Sequence, residues 1–122
     1  MITLYGLKNC DSCRKAGKSL TAEGLDFQFV DVRTTPPAAE KILGWCDQAG
    51  FETVLNRRGR MWRTLTDDQR SDLDQDKAVA LMFAHPLLIK RPVIEGGREL
   101  VVGFSPAVQQ NCASVFAGLA GN

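Results

Sequence analysis

The chain is 122 residues long, 44% apolar and 24% charged, with a net charge of +1. That is enough chain for one hydrophobic core and too little for two independent ones, so 1–122 reads as a single domain. The ordinary apolar and charged fractions exclude a disordered or fibrous chain, and the near-neutral balance supplies no global field for nucleic acid or an acidic membrane surface.

The opening Met1-Ile2-Thr3-Leu4-Tyr5 shows no basic segment followed by a long apolar stretch, so no export signal is visible. The longest apolar runs, such as 78–84, fall well short of the roughly 20 residues that a membrane span needs. The expectation is a soluble, cytoplasmic monomer without a nucleic-acid or membrane partner.

Residues 2–5 alternate apolar positions and are closed by Gly6, which suits a buried first strand. Cys13, Ala16, Gly17 and Leu20 follow at the spacing of one helical face, and Gly24 is a natural stop. Phe27, Phe29, Val30 and Val32 mark a second strand over 26–32, and strand, helix, strand implies a parallel pair with a right-handed crossover. Pro36 and Pro37 can open a helix with Ala39, Ile42, Leu43 and Cys46 on one face, stopped at Gly50. Asn56 to Arg63 reads as a basic loop. Asp67 is the expected N-cap of a further helical stretch whose face holds Leu73, Val79, Ala80, Met82 and Phe83, ended by His85-Pro86.

The last third returns to strands. Pro92-Val93-Ile94, the turn 95–98 and Leu100-Val101-Val102 form an antiparallel hairpin. Ser105-Pro106 then provides an N-cap and a first-turn proline for a helix carrying Val108, Cys112, Val115, Phe116 and Leu119. The order is β-α-β, a helical middle, then β-β-α.

The sharpest chemical feature is Asn9-Cys10-Asp11-Ser12-Cys13-Arg14-Lys15, where a strand ends and a helix begins. Free backbone N–H groups and the positive end of the helix dipole favour an anion there, so a thiol in the first turn ionises more readily than a free cysteine. Lys8, Arg14 and Lys15 add positive charge, and Asp11 subtracts some. Cys13, one helical turn on, can attack a mixed disulfide formed on Cys10. The alternative is half of a zinc site. It would need two more ligands, and Cys46, His85 and Cys112 are isolated in sequence, so no metal is expected.

Cys46 and Cys112 fall on apolar helical faces and read as core. His85 reads as a capping or packing residue, and Trp45 and Trp62 as ordinary packing. Arg57, Arg58, Arg60 and Arg63 crowd one loop, where Arg58 and Arg60 read as solvated charge. Arg91, directly before Pro92, could hold an oxyanion or carboxylate bidentately if the fold returns it to Cys10.

Leu4-Tyr5-Gly6-Leu7-Lys8-Asn9-Cys10 with Cys13-Arg14-Lys15-Ala16, then Val54-Leu55-Asn56-Arg57-Arg58-Gly59, Trp62-Arg63, Asp76-Lys77-Ala78 and above all His85 to Val93 resemble the arsenate reductase-like ArsC/Spx/YffB family. That resemblance covers nearly the whole chain and is nearest the YffB branch. It implies a thioredoxin-like α/β fold, a mixed four-stranded sheet with a helical insertion over 36–86. It implies Cys10 as nucleophile, Pro92 as a cis-proline facing it, and Arg91 as an oxyanion-binding residue, with Arg57 as the nearest match for an arginine from the insertion. The expected function is a thiol-dependent oxidoreductase in which Cys13 or glutathione resolves the adduct on Cys10, and Arg91, Arg57 and Arg14 hold the anionic part of the substrate. No bound cofactor is implied; glutathione is a candidate cosubstrate and the glutaredoxin or thioredoxin system a candidate partner.

Two departures separate the chain from glutathione-coupled arsenate reductases of the family. Gly103-Phe104-Ser105-Pro106 lacks their further arginine, and Cys13 stands where serine is usual and instead resembles the redox switch of Spx. The alternatives are therefore an arsenate reductase and an Spx-like regulator that binds the RNA polymerase α-subunit.

Overall fold

Ile2, Leu4 and Gly6 point into the core while Thr3 and Tyr5 are half-buried, so the alternation in the sequence becomes β1 (Ile2–Gly6). The computed structural model describes residues 2–116, with backbone alone for 110–114. Helix α1 (Asp11–Ala22) buries Cys13, Ala16 and Leu20, and Gly24, at φ +75°, turns the chain out of it. Strand β2 (Phe27–Asp31) then pairs in parallel with β1, Ile2 opposite Phe27 through Gly6 opposite Asp31.

The return segment supplies β3 (Val93–Glu95) and β4 (Val101–Val102). β3 runs antiparallel to β1, with Tyr5 opposite Val93, and β4 runs antiparallel to β3. The sheet order is β2-β1-β3-β4. Glu95 belongs to the strand rather than the turn, paired opposite Thr3, and its carboxylate accepts from the Tyr5 hydroxyl at 2.9 Å. After β4, Ser105 caps the closing helix Pro106–Val115 as expected, its Oγ accepting from the Val108 N–H at 3.4 Å. Val115 and Phe116 join Ile2, Leu4, Leu20 and Ile94 in one core. Cys112, by its side chain, and Leu119 lie outside the described residues.

The chain divides into two compact units, one made by the segment up to Asp31 with the segment from Arg91 onward, the other Val32–Lys90. The second unit contains the helical stretch 36–86. Helix α2 (Ala39–Ala49) buries Ile42, Trp45 and Cys46, and is capped by Ala38, so the two prolines precede the helix instead of lying in its first turn. A short α3 (Phe51–Val54) follows, and Leu55 bridges to Ile89.

Several expectations for this unit are corrected. The segment 56–63 is not all loop, because α4 (Arg60–Thr64) winds at its end. The helical stretch after it is two helices, α5 (Asp67–Arg70) and α6 (Gln75–Ala84), and Asp67 caps neither. Thr66 caps α5 in a reciprocal box with Gln69, and Asp74 caps α6, its Oδ1 accepting from the Lys77 N–H at 2.8 Å. Asp72, at φ +51°, makes the break, and Lys77 Nζ bonds the Asp68 and Ser71 carbonyls across it. The buried face of α6 is consequently Ala78, Leu81 and Met82, and Ala80 and Phe83 face out, as does Leu43 of α2.

A Cβ added at Gly6 would collide with Cys13 Sγ. Gly6→Ala is therefore expected to destabilise the protein by about 1–3 kcal/mol, the usual range for an overpacked core, and by clearly less in a Cys13→Ala background. Urea unfolding of the single and double variants measures this; equal costs in both backgrounds would show that the contact does not matter.

Candidate functional site

β1 ends at Gly6 and the chain turns through Leu7–Cys10, with the Cys10 N–H donating to the Leu7 carbonyl at 3.3 Å. Cys10 then stands at the N-cap of α1 in extended conformation, φ −101° and ψ 121°, and its carbonyl accepts the first helical bond, from the Arg14 N–H at 3.0 Å. The N-cap side chain faces N–H groups with no partner inside the helix, a place normally taken by a hydroxyl or carboxylate oxygen. Here a sulfur occupies it. The Cys10 side chain makes no cap hydrogen bond of ordinary geometry, and the nearby Cys13 N–H favours its thiolate.

The two cysteines are reduced and differ sharply in environment. Burial pushes the Cys10 pKa up, but the Cys13 N–H, the Cys13 thiol and the Arg91 guanidinium outweigh it, and the net shift is downward. Cys13 belongs to the core cluster with Ala16 and Leu20. Burial, the Cys10 thiol and the Cys10 charge raise its pKa against the opposing Leu7 backbone and Arg91, and it is pushed up to about 12. The pair shares its protons, and the first to leave comes from Cys10.

Arg91 reaches this place through the sheet. With Tyr5 opposite Val93, continuing the antiparallel register carries the chain just before β3 alongside the segment just after β1. The Arg91–Pro92 peptide is cis, Pro92 is buried, and the Gly103 N–H donates to the Pro92 carbonyl at 2.8 Å, with Gly103 at φ +77°. The fold does return Arg91 to Cys10: Cys10, Cys13 and Arg91 interact within the first unit, with Pro92 next to Arg91 in the chain.

The other two candidate residues stand differently. Arg14 is exposed and its Nη2 bonds Asp11 Oδ1 at 2.6 Å, so these two charges offset each other at the helix start. Arg57 is exposed on the second unit, in a turn organised by Asn56, whose Oδ1 accepts from the Arg58 N–H at 3.0 Å. Arg63 reaches back to the Arg58 carbonyl at 3.4 Å. His85 is the half-buried C-cap of α6, as a packing role requires, and Cys46 is buried, where desolvation first and Asp47 second raise its pKa. Among the described residues, no three His, Cys, Asp or Glu side chains gather to hold a metal, and no helix is long and apolar enough to cross a membrane.

Two contributors were not foreseen. Gly6 reads in sequence as a strand end, but its missing Cβ is what admits Cys13. The Leu7 backbone bond to Cys13 carries no side-chain signature at all.

A mixed β-α-β and β-β-α sheet presenting a Cys-x-x-Cys at the first turn of its first helix is a thioredoxin-like fold. Residues 5–112 match the ArsC family, and the chain belongs to it. Among solved structures, the YFFB protein is 39% identical over 94% of this chain and 99% of its own, with a TM-score of 0.85. An arsenate reductase (ArsC) related protein from Brucella melitensis is 40% identical over 91% of this chain and 92% of its own, with a TM-score of 0.70. The global transcriptional regulator Spx of Lactiplantibacillus plantarum is 30% identical over 86% of this chain and 80% of its own.

Arg91→Met removes the cation that favours the Cys10 thiolate. Iodoacetamide alkylation of Cys10 at neutral pH, followed by mass spectrometry, is expected to slow several-fold in this variant; an unchanged rate would show that Arg91 does not act on the thiol.

Proposed function

We propose that this protein is a cytoplasmic thiol-dependent oxidoreductase of the ArsC family, with Cys10 as nucleophile and Cys13 as resolving thiol. The observation that supports this most directly is the opposite shift of two adjacent thiols, one favouring the thiolate and the other held protonated. Cys10 thiolate attacks one sulfur of an oxidised substrate disulfide. The S–S bond breaks, the leaving thiolate takes a proton from solvent, and a mixed disulfide remains on Cys10.

That step removes the negative charge from Cys10, one of the influences that raise the Cys13 pKa. Cys13 then loses its proton more readily and attacks Cys10 Sγ, releasing the second substrate thiol and leaving a Cys10–Cys13 disulfide. Two electrons have passed from the pair to the substrate. Two glutathione molecules, or a glutaredoxin or thioredoxin, restore the dithiol; glutathione can instead resolve the first adduct directly. Arg91 holds an anionic group of the substrate beside Cys10, with Arg14 as a further cation on release from Asp11. No bound cofactor is required.

Arsenate is the specific alternative substrate. The segment Gly103-Phe104-Ser105-Pro106 holds no arginine, so little arsenate turnover is expected. The similarity to Spx favours a second reading, a Cys10–Cys13 switch that controls binding to the RNA polymerase α-subunit. Redox-dependent capture of that subunit, without disulfide turnover, would support the switch over the enzyme.

The test is glutathione-coupled reduction of hydroxyethyl disulfide, with arsenate assayed in parallel. Wild type is expected to turn over the disulfide, Cys10→Ser to lose all activity, and Cys13→Ser to form a glutathione adduct on Cys10 that only free glutathione resolves. Wild-type activity no higher than that of Cys10→Ser would overturn the proposal, and brisk arsenate reduction would overturn the expectation about arsenate.

A further inference from the structure

Beside the thiol pair, on the first unit, a groove of about 640 Å³ runs between α1 and β2. This size lies within the range of about 300–1,000 Å³ typical of small-molecule sites. Its floor follows from two periodicities. Cys13, Gly17 and Thr21 recur every four residues along α1, and Phe27 and Phe29, two apart on a strand, lie on one face of β2. Gly17 keeps the groove deep: a Cβ there would meet the Phe27 ring at 3.1 Å. Phe27 is half-buried and Phe29 is 37% exposed, so two aromatic rings face an open, mainly apolar concavity.

The charge along its rim has one sign. Lys8 stands at the end next to Cys10, Lys18 lies along the helix, and Arg14 is held by Asp11, while no acidic side chain lines the groove. Lys8 and Lys18 enter no ion pair among the described residues. An apolar concavity with cations on its rim complements a ligand that combines an apolar body with an anionic group.

We propose that the α1–β2 groove binds a small organic anion with an aromatic or alkyl body, its carboxylate at the Lys18 rim and its apolar part against Phe27, Phe29 and Gly17. Its lining includes Cys13 and Arg14 but neither Cys10 nor Arg91, and its occupancy requires no chemistry of Cys10. Because Cys13 is among the lining residues, a bound ligand lies near the resolving thiol.

The test is an amide NMR titration of the full-length reduced protein with 4-phenylbutyrate, and with 4-phenylbutanol as its uncharged counterpart. Saturating shifts are expected at 7–8, 13–22 and 27–29. Affinity is expected to fall roughly fivefold for the alcohol and for Lys18→Glu, the size of one exposed ion pair, and to vanish when Thr21→Trp fills the groove. Lys18 is exposed, so that variant carries the test even if Thr21→Trp fails to fold. Shifts that are absent or scattered, equal affinity for acid and alcohol, or binding unaffected by both variants would overturn the proposal. So would the same amides shifting with protein concentration alone, which would assign the groove to a second copy of the chain.

Discussion

Gly6 carries no side chain, and a Cβ there would collide with the Cys13 sulfur. This close approach lets the first turn of α1 rest directly on the end of β1, and it puts Cys13 inside the core with Ala16 and Leu20. Once Cys13 is fixed inward, Cys10, three residues earlier, must stand at the cap where the strand's exit turn meets the helix. The active thiol's position is therefore a consequence of how its neighbour packs. A side chain at position 6 would force the Cys13 sulfur, or the helix that carries it, to shift.

The same geometry divides labour between two chemically identical groups. Cys13 is surrounded by apolar side chains and faces Cys10, so both desolvation and like charge keep its proton. Cys10 sits at the rim, where the N–H of Cys13 and the guanidinium of Arg91 stabilise an anion more than partial burial penalises it. The antiparallel pairing of β3 with β1 returns residue 91 from the far end of the chain to this corner, and the Tyr5–Glu95 bond ties the same two strands one step further along. The second unit, Val32–Lys90, is inserted between the two segments that build the site.

Much of this was legible in the sequence because its cause is local. The face Cys13, Ala16, Leu20, the stop at Gly24, and the Ser105-Pro106 start depend on spacing and capping chemistry, and each is found. The cis bond before Pro92 followed from family resemblance rather than from any local rule. What was not legible depends on competing local bonds or distant contacts. The apolar periodicity over 67–85 suggests one helix, but the caps at Thr66 and Asp74 and the left-handed Asp72 cut it in two. Leu43, Ala80 and Phe83 look like core by type, and only the packing of the α2–α6 pair decides that they face outward. Gly6 needed the folded partner before its role could be seen.

The central claim, that the fold separates the two thiols before any substrate arrives, is tested most directly by selective 13Cβ-cysteine labelling and an NMR pH titration of the reduced protein. The account predicts that the Cys10 resonance titrates below the roughly 8.5 of a free cysteine, and that Cys13 keeps its proton until strongly alkaline pH. Loss of the first proton from Cys13, or titration of both near the free-cysteine value, would contradict it.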